Sequence, residues 1–81
     1  MERKGEADKV IDLRGMNCPW SILKAKSQLI AMKPGEVLEV LASDPLMFAD
    51  FPKVLAQSGH HLIDIREQQE YSRLYVRRGQ N

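Results

Sequence analysis

Cys18 is the only cysteine among 81 residues, and Pro19 follows it directly. A thiolate is a strong nucleophile, and its formation depends on local electrostatics. The free amide N–H groups and dipole at a helix start favour negative charge and bring a thiol below its ordinary value of about 8.5. The pattern puts Cys18 at such a start, where Arg14 and Lys24 add positive potential. A lone cysteine also occurs as a small buried hydrophobe, but Asn17 and Pro19 are loop and cap residues rather than core residues, so the thiol is expected to face outward. A catalytic dyad needs a histidine within hydrogen-bond reach. His60 and His61 come after the second expected helix, at the end of the sheet opposite the loop bearing Cys18. His60 reads as a turn residue and His61 as a strand-surface residue. One cysteine and two histidines without ligand spacing make no metal set, and no cofactor is expected. The sequence shows no base, oxyanion hole, phosphate loop or resolving cysteine. That combination suits a carrier that takes an atom from one protein and yields it to another, rather than a stand-alone enzyme.

The elements that must position this thiol are legible in the periodicity. Residues 10–13 alternate as a short strand with Ile11 and Leu13 on one face. A helix is predicted over 19–32, with proline at its first position and an apolar stripe of Ile22, Ala25, Leu29 and Met32, widened by Leu23 and Ile30. Lys33, Pro34 and Gly35 end it. Residues 37–42 form a strand with Leu38, Val40 and Ala42 on one face. Asp44-Pro45 pairs an N-cap acceptor with a first-turn proline. The stripe of Phe48, Phe51, Val54 and Leu55 follows, and Pro52 either kinks this helix or divides it after Asp50. Residues 61–67, with Ile63 and Ile65 inward, and 73–78, with Leu74 and Val76 inward, read as an antiparallel hairpin. The expected fold is α+β: a two-layer α/β sandwich, βαβαββ, with a four-stranded mixed sheet and two helices on one face. The far sheet face would carry Val10, Val37, Leu41 and Tyr75 as a partly apolar contact surface. Residues 1–9 are expected to be a flexible lead, and 10–78 a single domain.

Composition bounds the partners. Twelve basic and eleven acidic residues leave a formal net charge of +1, so no global field draws the chain to nucleic acid or membrane. A lone thiol fits a reducing compartment, and the charged first residues are not a secretory signal. A cytoplasmic protein is expected, with neither membrane nor direct nucleic-acid contact.

The ordered set Asp12…Gly15…Cys18-Pro19, Leu23, Lys26, Met32, Gly35-Glu36, Asp44-Pro45, Asp50 and Gly59-His60, closed by a basic strand, resembles the TusA/SirA-like family of small sulfur carriers. The resemblance implies a βαβαββ sandwich. It also implies that Cys18 accepts persulfide sulfur from a cysteine desulfurase or similar donor protein and passes it to an acceptor protein, as in the relay to tRNA 2-thiouridine or in related sulfur metabolism. Arg14, Asn17 and Pro19 would support the thiol, and Trp20, Ser21, Lys24 and Lys26 would meet the partner. The family motif is Cys-Pro-x-Pro, whereas this chain has Cys18-Pro19-Trp20-Ser21. Ser21 restores a backbone N–H near the sulfur. Trp20 is either an interface anchor or a cover for the sheet edge. Lys24, Lys26 and Lys33 form either a strip for an acidic partner or a solvated face. The alternative role is a non-catalytic interaction or regulatory module using Trp20 and the open sheet face.

Overall fold

The computed structural model describes residues 7–17 and 19–79. The chain runs β1 (Lys9–Asp12), α1 (Trp20–Ala31), β2 (Val37–Ala42), α2 (Pro45–Gln57), β3 (His61–Glu67) and β4 (Ser72–Arg77). The four strands lie in the order β1-β2-β4-β3. β1 is parallel to β2, with Ile11 opposite Val40, and β4 is antiparallel to both β2 and β3. This is the expected βαβαββ sandwich with a mixed sheet. The strand β1 begins one residue before the expected domain boundary. Asp8 belongs to the ordered part too: its N–H donates to the Val37 carbonyl and its Oδ2 accepts from the Val37 N–H, both at 2.8 Å.

Register decides the faces. Val40 opposite Leu74 and Leu38 opposite Val76 point the same way, and all four are buried with Ile22, Ala25 and Leu29 of α1 and Met47, Phe51 and Leu55 of α2. α2 runs through Pro52 as one helix. Asp50 therefore does not start a separate piece, since the buried Phe51 and Leu55 anchor the helix on both sides of the proline. At its start the Asp44 side chain accepts from the Leu46 N–H at 3.0 Å, as the Asp-Pro pair predicts.

Three expectations change. First, β3 carries an irregularity between Leu62 and Asp64. The extra residue breaks the alternation, so Leu62 packs against the core and Ile63 is exposed; Ile65 stays in register with the inward Leu74 but is 39% exposed on this edge strand. Second, Leu23 and Ile30 do not widen the buried stripe of α1; both are exposed on its outer side. Third, the far sheet face is open only in part. Val10 on its edge strand is 60% exposed and Val37 and Leu41 are half-buried, but Tyr75 is only 3% exposed, with the Arg66 guanidinium 4.8 Å from its ring centroid. Arg14 lies 5.0 Å from the Tyr71 ring, and Arg73 pairs with Glu39 at 3.3 Å. Long arginine stems and their cation–π contacts cover the tyrosine side of this face.

The chain's end closes on its middle. Arg78 Nε donates to the Leu29 carbonyl in the last turn of α1 at 2.7 Å. α1 has no basic residue of its own in that turn, so Arg78 supplies the cation there that Lys33 seemed to offer. His60 is buried rather than a simple turn residue. Its Nδ1 accepts from the Gly79 N–H at 2.9 Å. Gly79 approaches so closely that a Cβ there would stand 1.9 Å from the Gly59 carbonyl oxygen, which no side chain tolerates.

Two expected outcomes follow from these contacts. Burial, then the nearby Arg78, Lys26 and His61 charges, lower the His60 pKa below its ordinary value. The unfolded chain, titrating near about 6.5, therefore takes up a proton that the folded chain refuses. Stability should be complete above that pH and fall as pH drops toward the folded value. Urea midpoints between pH 8 and pH 5 will show this, and His60→Gln should flatten the slope across that interval. Ser21 Oγ is buried without a hydrogen-bond partner among the described residues. Removing an unsatisfied hydroxyl and gaining helix propensity should make Ser21→Ala more stable by about 1 kcal/mol, measured by equilibrium denaturation.

Candidate functional site

The loop between β1 and α1 is bolted to the neighbouring loop before its residues reach the helix. Gly15 adopts φ +84°, a left-handed conformation suited to glycine. Its N–H donates to Ser43 Oγ at 2.8 Å. Leu13 is buried, its N–H bonds the Leu41 carbonyl at 2.8 Å, and the Met16 N–H bonds the Leu13 carbonyl at 3.1 Å. Because β1 and β2 are parallel, the helices that follow them start at the same end of the sheet.

Cys18 lies outside the described residues, but the residues on both sides of it are described. Asn17, Pro19 and Trp20 are exposed. Pro19 is the N-cap of α1, the first turn holds no acidic residue, and no side chain caps the amide end. α2 differs, since Asp44 occupies its amide end. The positive end of α1 is thus left without a carboxylate of its own, next in sequence to the thiol.

The Ser21 N–H does not point a free donor toward a ligand. It donates to the Asn17 carbonyl at 3.1 Å, and the Leu23 N–H donates to the Pro19 carbonyl at 3.0 Å. Helical hydrogen bonding therefore begins at the Asn17 carbonyl. A proline in place of Ser21 would have no N–H for that first bond. The Ser21 side chain is 0% exposed and turned to the core, so a partner cannot touch it.

Arg14 is committed elsewhere. Its Nε and Nη2 donate to Asp12 at 2.9 and 2.7 Å. These bonds hold the Asp12 carboxyl down at about 2. The Arg14 charge is thereby matched by the Asp12 carboxylate. Lys24 is exposed and Lys26 half-buried on α1. His60 sits at the other end of the sheet: His61 pairs with Arg77, which also pairs with Val37 at the start of β2. The loop bearing Cys18 follows Asp12, which pairs with Leu41 near the end of β2.

The described residue missed by sequence reasoning is Met16. It lines a hollow of about 430 Å³ with Trp20, Leu23, Lys24 and Ser27. Only its place two residues before the cysteine could have suggested this. No helix among the described residues is long and apolar enough to cross a membrane.

Known proteins carry the same pattern. The sequence model of the family described as Sulfurtransferase TusA matches residues 9–78. The chain is 43% identical over 61 residues to the sulfur carrier protein TusA of Allochromatium vinosum, covering 75% of this chain and 80% of that one. It is 35% identical over 69 residues to the sulfur carrier protein TusA of Pseudomonas paraeruginosa, covering 85% and 84% of the two chains. The crystal structure of a SirA-like protein from Desulfitobacterium hafniense superposes with a TM-score of 0.76 at 20% identity, covering 89% of this chain and 99% of that one, a likeness of fold. The sequence and the fold agree, and the chain belongs to the TusA family of sulfur carriers.

Proposed function

We propose that Cys18 is the sulfur-bearing residue of a protein-to-protein relay. The observation that carries this reading is the amide end of α1, which has neither a side-chain cap nor a first-turn acid and directly follows Pro19. An anionic sulfur beside it gains from the dipole and meets no carboxylate in the helix's own first turn.

The transfer needs little else. The Cys18 thiolate attacks the outer sulfur of a donor's cysteine persulfide, of the kind a cysteine desulfurase forms. A new S–S bond forms at Cys18 as the donor's S–S bond breaks. The outer sulfur keeps its proton, and the donor's cysteine leaves as a thiolate. The sulfur then passes to an acceptor protein by the same exchange. Both partners must approach the sulfur closely, which explains an exposed Asn17, Pro19 and Trp20 around it instead of a pocket. Asn17 and Pro19 accept the first helical hydrogen bonds, from Ser21 and Leu23, and so set the start of the helix. The acceptor belongs to a tRNA 2-thiouridine relay or to related sulfur metabolism. The competing role, a non-catalytic interaction or regulatory module using Trp20 and the sheet face, keeps the exposed Trp20 but has less of the sheet face to use, because arginine side chains lie over Tyr71 and Tyr75.

Incubation with a cysteine desulfurase and cysteine, followed by intact mass measurement, should show a gain of one reducible sulfur atom on the parent chain and none on Cys18→Ser. Equal gain by the variant would exclude the mechanism. The rate of Cys18 alkylation against pH should give a thiol pKa below the free value of about 8.5.

A further inference from the structure

Helix α1 has two apolar faces, and only one of them is used by the fold. Ile22, Ala25 and Leu29 are buried on the inner side. On the outer side Trp20 is 65% exposed, Leu23 51% and Ile30 64%, all without cover. With Ser27 these residues recur at steps of three, four and three, the a/d spacing by which one helix packs along another. Ser27 at the middle is small enough for close approach. At about 100° per residue, Lys24 falls on one flank of this seam and Lys26 on the other. Neither lysine makes an ion pair among the described residues.

We propose that the outer face of α1 from Trp20 to Ile30 is a docking seam for an amphipathic helix carrying acidic residues along its flanks. The inference rests on the relay reading, since it names the kind of partner element that would come to Cys18. Two hollows support it. The one of about 430 Å³ between Met16, Trp20, Leu23, Lys24 and Ser27 lies at the amino end of the seam. Another of about 450 Å³ lies between the helices, lined by residues including Pro19, Leu23, Lys26, Asp50, Lys53 and Val54, so two lysines outnumber one carboxylate on its rim. Leu23 borders both, so it forms a ridge between two apolar depressions with lysines on their rims. A tryptophan beside a hollow is a favourable anchor.

The charges select the occupant. The stretch Trp20–Ala31 contains two lysines and no acidic residue. A second copy laid along the same seam would set lysine against lysine, and like charges at flanking positions oppose pairing. A helix with glutamate at those positions matches both flanks. The seam begins two residues after Cys18 in the sequence, so a helix seated on it brings its protein to the sulfur.

The test uses the full chain and two synthetic amphipathic helical peptides without tryptophan. Both have leucine at the a and d positions; one has glutamate and the other lysine at the flanks. Trp20 is the only tryptophan in the chain, so its emission reports the seam directly. The glutamate peptide should produce a saturable blue shift that weakens with salt, and the lysine peptide none. Ile30→Glu, an exposed change far from Cys18, should weaken binding by about tenfold or more while far-UV circular dichroism stays that of the parent. Reversing both flanks with Lys24→Glu and Lys26→Glu should exchange the two peptides' ranking. No shift with the glutamate peptide, equal response to both peptides, or indifference to Ile30→Glu would overturn the proposal. A dimer in sedimentation that Ile30→Glu dissolves would also overturn it, by making a second copy the occupant. No sulfur takes part in the titration. A chain whose Cys18 gains no sulfur therefore refutes the relay without altering this result, and a silent Trp20 leaves sulfur loading standing.

Discussion

Everything at the working end of this protein hangs on how α1 is clamped against the sheet. Ile22, Ala25 and Leu29 sink into the core beside Leu38, Val40, Leu74 and Val76. Each fully buried large aliphatic contributes about 1.5–3 kcal/mol, more than any polar contact around the loop supplies. At the far end of the helix Arg78 donates to the Leu29 carbonyl, and the Ser21 N–H holds the Asn17 carbonyl at the near end. The helix is thus held along its inner face and at both ends. Its amide terminus and its outer face are placed by those contacts, and both features invoked for function lie on those two surfaces.

The parallel pairing of β1 and β2 then does something that neither helix could do alone. It brings the starts of both helices to one end of the sheet, where the Gly15 to Ser43 bond ties their loops together. One start is satisfied by Asp44 and the other is left uncapped. An uncapped amide end costs stability, since capping is worth about 1 kcal/mol. The chain bears that cost at the helix next to its only cysteine, while other polar groups are matched: the carboxylates of Asp12 and Glu39 meet arginines, and the buried His60 finds the Gly79 amide. A local deficit of this kind is what an anionic sulfur would fill.

The element order, both helix starts and the sheet topology were legible because they depend on short-range chemistry: proline at first turns, breakers at ends, and alternation in strands. The separation of His60 from the loop of Cys18 followed from the same topology. Other features depend on contacts across the chain, and periodicity cannot report those. The irregularity in β3 moved Leu62 inward and Ile63 outward. Arg66 and Arg14 reach over Tyr75 and Tyr71 from neighbouring strands and loops, so Tyr75 is covered while Val10 on the same face stays exposed. The burial of His60 depends on Gly79, nineteen positions away. Within α1, Leu23 and Ile30 were assigned to the buried stripe because an apolar residue at its border can face either way. The width of the core, which the sequence does not state, leaves them outside.

Ser21 shows how these constraints divide the work at the site. The family motif expects a proline at this position; here the side chain enters the core and the N–H closes a turn back to Asn17. Proline would fix φ and forgo that bond, whereas serine makes the bond and buries an unpartnered hydroxyl. Either residue starts the helix, so the exchange alters how the turn is held and leaves the direction of the helix unchanged. A fully buried side chain also cannot be read by a partner. Discrimination between partners must then fall to what stands outside that turn. Beside the turn, Trp20 and Leu23 present an exposed apolar surface next to Lys24. On the proposed reading, the transfer chemistry and the choice of partner would then lie on different sides of one helix start, and substitution on the outer side would change the partner without disturbing the sulfur.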